Sequence, residues 1–104
     1  MEKCKITVLK KTFNKEIFDE YCSLDLSEHC LGCPVLTVGQ EFLVENHNQV
    51  PEGFCAWAWS DIQKDVTTIQ FDGNFPWTKQ PGTAISCCTD GFMPVVFKIE
   101  KVNS

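Results

Sequence analysis

PEGFCAWAWSDIQKDVTTIQFDG, residues 51–73, decides the fold. Cys55, Ala58 or Trp59, Ile62, Val66 and Ile69 recur at helical spacing and make one apolar stripe. Pro51 and Gly53 precede the stripe, and Asp72-Gly73-Asn74 ends it, as start and stop signals do. The expected helix runs from about Cys55 to Phe71, with Gly53 as N-cap and Cys55 in the first turn. There the positive end of the helix dipole would favour a thiolate. A rival start lies at Ser60, which forms a capping-box pattern with Gln63. The longer helix is preferred because its stripe is unbroken through Cys55 and Ala58.

Outward from this helix, the upstream chain supplies two strands. CKITVLKKTF, residues 4–13, places Cys4, Ile6 and Val8 on one face and Lys5, Thr7 and Lys11 on the other. Asn14 is placed to cap a short helix, 15–22, whose apolar face would be Ile17, Phe18, Tyr21 and Cys22. Residues 23–37 lack a period and read as a long loop. Gly39 introduces a strand at 40–45 with Phe42 and Val44 inward, and Asn46–Gln49 turns the chain.

Downstream, Phe75-Pro76-Trp77 is a rigid aromatic connector and Pro81-Gly82 a turn. TAISCC, residues 83–88, and VVFKIEKV, residues 95–102, make a hairpin around Thr89-Asp90-Gly91. The order is β-α-β-α-β-β. Two helices cannot supply parallel crossovers on both faces of a sheet, so the expected class is α+β. The expected sheet is small, mostly antiparallel and curled, with the long helix across one face.

A chain of 104 residues fits one domain, residues 1–104. Its net charge of -5 argues against nonspecific binding to nucleic acid or to an anionic membrane. The longest apolar run, Met93–Phe97, is too short to span a bilayer. The segment MEKCKITVLKK alternates apolar and charged residues rather than forming a signal-peptide core, so the expected location is the cytoplasm.

Chemistry, if present, sits on the cysteines. Seven is a high count for a chain expected in a reducing compartment, and an odd one. The bland account is that free cysteine packs as a small hydrophobe. Cys30 and Cys33 form a Cys-x-x-Cys, half of a zinc or iron–sulfur site, but no second pair follows at ribbon spacing. Cys87 and Cys88 are adjacent on a strand, so one should be buried while the other faces a groove and could join Cys55. Asp61 and Asp90 are the nearest carboxylates, and helix exposure or capping and turn chemistry account for them. His29 and His47 lie in polar loops. Trp57, Trp59 and Trp77 read as core or interface residues.

FCAWAWSDI at 54–62, NFPW at 74–77 and CCTDGFMPVVFK at 87–98 together resemble an uncharacterised family of short prokaryotic proteins with no assigned activity. The likeness runs from Lys5 almost to the last residue. Carried over by position, its pattern includes Tyr21-Cys22, Cys33-Pro34, Gly39–Phe42, Phe54-Cys55, Ala58-Trp59, Asp61, Phe75–Trp77 and Cys87-Cys88. Cys4 and Cys30 fall outside the pattern, which moves weight from the Cys-x-x-Cys to Cys22, Cys33, Cys55 and Cys88. Met93 stands where the family usually shows an arginine, so an anion-binding role does not carry over.

These readings leave three hypotheses. The first is a cysteine-lined site that binds zinc or an iron–sulfur cluster through Cys22, Cys33, Cys55 and Cys88. The second is a reactive thiol at Cys55, Cys88 or Cys87, with Trp59, Asp61 and Trp77 lining its pocket. The third is a structural or homo-oligomeric module, with an unpaired edge strand and the aromatic connector inviting a homodimer.

Overall fold

The computed structural model describes residues 1–23 and 36–102. Among them the elements run β1 (Cys4–Lys11), α1 (Lys15–Tyr21), β2 (Glu41–Val44), α2 (Ala56–Gln70), β3 (Thr83–Cys87) and β4 (Val95–Lys101). The strands form one antiparallel sheet in the order β2-β1-β4-β3, so β2 and β3 are its two edges. α2 packs on one face against β3, β4 and β1. The architecture is α+β. The Cys30–Cys33 pair, His29 and most of the expected 23–37 loop lie outside the described residues.

Strand alternation sorts the sheet into a dry and a charged face. Ile6 and Val8 of β1, Val44 of β2, and Phe97 and Ile99 of β4 are buried beneath α2. On the opposite face, Lys5 Nζ lies 3.2 Å from Glu41 and 3.5 Å from Glu100, and Lys98 lies 3.4 Å from Glu100. This cross-strand ladder covers β2, β1 and β4 with alternating charge and stops short of β3.

α2 buries Ala58, Ile62, Val66 and Ile69, the stripe read from the sequence. Each of the three larger side chains contributes about 2 kcal/mol by leaving water. The helix begins at Ala56, one residue later than expected, and Cys55 is its N-cap rather than part of the first turn. The cause lies upstream. Gly53 has φ +81°, a turn conformation, and Phe54 must leave the helix path to fill the core. Its ring meets Phe42 at 4.9 Å and Phe97 at 5.4 Å between centroids. The Cys55 side chain makes no capping hydrogen bond.

The C-terminal stop signal works through backbone geometry. Asp72 takes a left-handed φ of +66°, and Gly73 N–H donates to Thr68 O at 2.8 Å, a Schellman-type closure. A Cβ on Gly73 would sit 2.5 Å from Thr68 Cγ2 and 2.9 Å from its carbonyl oxygen. Lys101 Nζ, 2.6 Å from Asp72 Oδ1, ties the helix end to β4 and holds the Asp72 carboxyl below its ordinary range. At the same end the Gln70 side chain, fully buried, donates to Asn46 O at 3.2 Å.

α1 departs from its expected face. Phe18 is buried, but Ile17 and Tyr21 are exposed and Cys22 is the half-buried C-cap. A seven-residue helix at the end of a sheet inserts one side chain rather than a stripe. Phe18 rests on Phe13 and Phe92, at 5.1 and 5.7 Å. Asn14 holds the N-cap position without a capping bond, because its side chain donates to Gly91 O at 2.7 Å.

Candidate functional site

The segment after β3 is fastened to α2 by one carboxylate. Asp61 Oδ2 accepts Thr89 N–H at 2.8 Å, and Thr89 Oγ1 donates to Asp61 Oδ1 at 2.9 Å. Asp61 therefore clamps a loop, a role that neither helix exposure nor capping had anticipated. Asp90 performs turn chemistry as expected, its Oδ1 accepting Phe92 N–H at 2.9 Å and Met93 N–H at 3.3 Å. The clamp sets the spacing between α2 and the β3 edge.

Along that edge runs an open cleft of about 740 Å³, with Ser60, Asp61, Lys64 and Asp65 on one wall and Ile85 to Cys87 on the other. It continues at both ends. One extension, sharing Asp65 and Ile85, reaches Phe75 and Trp77. The other, sharing Ser60, Asp61 and Thr89, reaches Trp57. Trp57 is 72% exposed and Trp77 79%, so these two tryptophans bracket the cleft rather than fill a core. Trp59, by contrast, is half-buried, set edge-on to Phe54 at 6.3 Å.

Hydrogen-bond parity shows what the edge offers. Lys101 N–H donates to Gly82 O and Cys88 N–H to Val95 O, both at 3.0 Å. With Ala84 opposite Ile99 and Ser86 opposite Phe97, the even-numbered residues turn their backbone groups toward β4. Ile85 and Cys87 turn theirs outward into the cleft. Among the described residues no hydrogen bond outside the ladder engages those backbone groups. β3 also lacks the usual deterrents of an edge strand. Thr83–Cys87 carries no charge and no proline, whereas the opposite edge, β2, begins with Glu41.

The described cysteines are distributed over separate environments. Cys4 is fully buried under α2, and burial, then the charge of Glu2, push its thiol up to about 11. Cys88 is buried and its Sγ accepts Val95 N–H at 3.2 Å. Cys87 is exposed on the cleft, as expected for the outward member of an adjacent pair. Its Sγ donates to Cys88 O at 3.1 Å. Partial burial, then Cys88 and Asp61, raise the Cys87 thiol above its ordinary range. That is opposite to what a nucleophile at neutral pH needs. Cys55 packs half-buried against the core at the α2 N-cap, and Cys22 closes α1. Among the described residues, no group of three or more His, Cys, Asp or Glu is arranged to hold a metal ion. Cys33, the fourth expected ligand, lies outside the described residues. His47 sits near the far end of α2, edge-on to Phe71, and offers Cys87 no base.

Sequence reasoning found Asp61, Trp77 and Cys87 but missed Lys64, Asp65 and Ile85 as neighbours of them. The available signal was TAISC itself, a short strand without charge on either face. Among the described residues, no helix is long and apolar enough to cross a membrane. Comparison with models of protein families, with curated proteins and with solved structures finds no match to this chain.

Proposed function

We propose that this chain is a non-catalytic interaction module that accepts an extended polypeptide strand along the β3 edge. The observation that carries the reading is the cleft. It joins the outward backbone groups of Ile85 and Cys87 to a helix wall, and exposed tryptophans stand at both ends. Strand addition to an open edge draws affinity from main-chain hydrogen bonds and specificity from side-chain pockets alongside. The cysteines in this reading are mainly packing residues, as Cys4 and Cys88 are.

Selection of random displayed peptides on the wild-type protein, with an Ile85→Pro variant as counter-target, tests this. Proline at Ile85 deletes an outward N–H and leaves the ladder to β4 intact. Peptides that bind the wild type and not the variant are the expected result. Failure to enrich any such peptide, in a wild type that is also monomeric, would remove the reading.

A second reading is the cysteine-lined site. The observation in its favour is that Cys87 lies in the cleft and is accessible. That observation supports a reactive thiol; zinc or iron–sulfur binding would instead draw on Cys22, Cys33, Cys55 and Cys88, of which the three described stand in separate environments, and metal analysis of protein purified without oxygen decides it. Stoichiometric metal that is lost in Cys55→Ser would favour this second reading over the module.

A further inference from the structure

We infer that the strand accepted at the β3 edge is β3 of a second copy, in an antiparallel pair related by a two-fold axis at Ser86. The inference rests on the strand-docking reading above and names its partner.

Parity fixes the register. Only residues whose backbone groups point outward can exchange bonds across the new seam, and on the accessible part of β3 these are Ile85 and Cys87. Thr83 has the same parity, but it is buried beside the turn at Gly82. A two-fold axis at Ser86 sets Ile85 opposite Cys87 of the second copy, and Cys87 opposite its Ile85. Each such pair exchanges two backbone bonds, about four in all. The two four-stranded sheets become one continuous sheet, and the edge that lacks charge disappears from solvent.

The helix wall is self-complementary under the same operation. α2 runs antiparallel to β3, since Asp61 meets Thr89 while Asp65 lies by Ile85. The two-fold axis therefore lays two α2 helices antiparallel on the same face of the joined sheet. Along the facing wall the charges read Asp61, Lys64, Asp65, and Asp65 lies by Ile85, next to the axis. Reversal about that axis sets Lys64 of each copy beside Asp65 of the other. Lys64 is available for this, because its contact with Asp65 is a loose 3.5 Å and its side chain is 76% exposed. The same reversal carries Trp57 at one end of the cleft toward Trp77 at the other end of the second copy. An isologous interface requires this kind of patch, one that complements itself. The β2 edge has no such property, because antiparallel self-pairing there would bring together strands that carry Glu41 and are followed by Glu45.

Sedimentation equilibrium from about 10 μM to 1 mM reads the stoichiometry, within the affinity range of small interfaces. The wild type should approach twice the monomer mass. Ile85→Pro should remain folded by circular dichroism and sediment as a monomer. Should that variant not fold, Ile85→Lys serves instead, because it places a charge on the seam without touching the ladder. Ile85→Cys gives the register. Mild oxidation should link it to Cys87 of the second copy, identified by mass spectrometry, while Leu43→Cys on the β2 edge should give no dimer-specific link. A wild type that stays monomeric at 1 mM, or an Ile85→Lys protein that dimerises like the wild type, overturns the inference. A monomeric wild type that still binds Ile85-dependent peptides overturns the inference alone. A monomer that binds none overturns the module reading with it.

Discussion

Replacing Asp61 separates a structural clamp from a catalytic acid. The carboxylate accepts a backbone N–H and a hydroxyl from Thr89, both within 3 Å, at a half-exposed site on α2. Hydrogen bonds to a charged group contribute about 1.5–3 kcal/mol when shielded, and solvent reduces this at an open cleft. Asp61→Ala loses both bonds but lets water reach Thr89, so its expected cost is about 1–2 kcal/mol. Asp61→Asn keeps one acceptor for the N–H and one donor for the hydroxyl oxygen, so its cost should stay below about 1 kcal/mol. For a chain of 104 residues the unfolding entropy is about 0.2 kcal/mol per kelvin. The alanine variant should therefore melt about 5–9 °C below wild type, and the asparagine variant less than about 5 °C below it. Differential scanning calorimetry in parallel on the three proteins gives the comparison. An alanine variant that melts with the wild type would refute the clamp. So would an asparagine variant as damaged as the alanine one.

Other expectations follow from single contacts. Gly73→Ala should destabilise by about 1–3 kcal/mol, because its Cβ would collide with the Thr68 carbonyl that closes the helix; a wild-type urea midpoint would count against it. Cys4 has its thiol raised to about 11 from an ordinary 9.0, so the unfolded chain deprotonates first as pH rises. Stability is full below pH 9 and is lost between about 9 and 11, and a Cys4→Ala protein should show a shallower loss in pH-dependent denaturation. Asp61→Asn should lower the Cys87 thiol pKa by removing a nearby negative charge, and so speed its alkylation at pH 8. Peptide mapping after timed iodoacetamide treatment measures this, and an unchanged or slower rate would contradict the assigned cause.

The sequence was legible where one periodicity governs a whole element. Ile62, Val66 and Ile69 were readable because a helix that must cover a sheet repeats its stripe for four turns. β1 and β4 were readable because charges on one face made the alternation visible. Legibility failed where a single long-range contact outweighs local pattern. Phe54 leaves the α2 path to reach Phe42 and Phe97, and this moves Cys55 from the first turn to the cap. Ile17 and Tyr21 look like a helix face but find no sheet to cover. Asp61 could not be matched to Thr89 because twenty-eight positions separate them and neither residue type announces a partner.

Cysteine abundance pointed to a site by composition alone, and the geometry moves the interest elsewhere. Cys4 and Cys88 do what small apolar side chains do, filling the space between α2 and the sheet, and Cys88 also receives a backbone N–H that leaves the hairpin register. Cys55 and Cys22 stand at opposite kinds of helix terminus, one before α2 and one after α1. Among the described cysteines only Cys87 shares the cleft with Asp61, and there partial burial, then Cys88 and the carboxylate, oppose ionisation of the thiol. A site built for thiolate chemistry would place a cation or a histidine in that position. A site built for docking is better served by a neutral thiol, because covering a thiolate with an added strand would strip its hydration without supplying a partner charge. The raised thiol of Cys87, the absence of charge from Thr83 to Cys87 and the outward backbone groups of Ile85 and Cys87 therefore favour the same use of this edge.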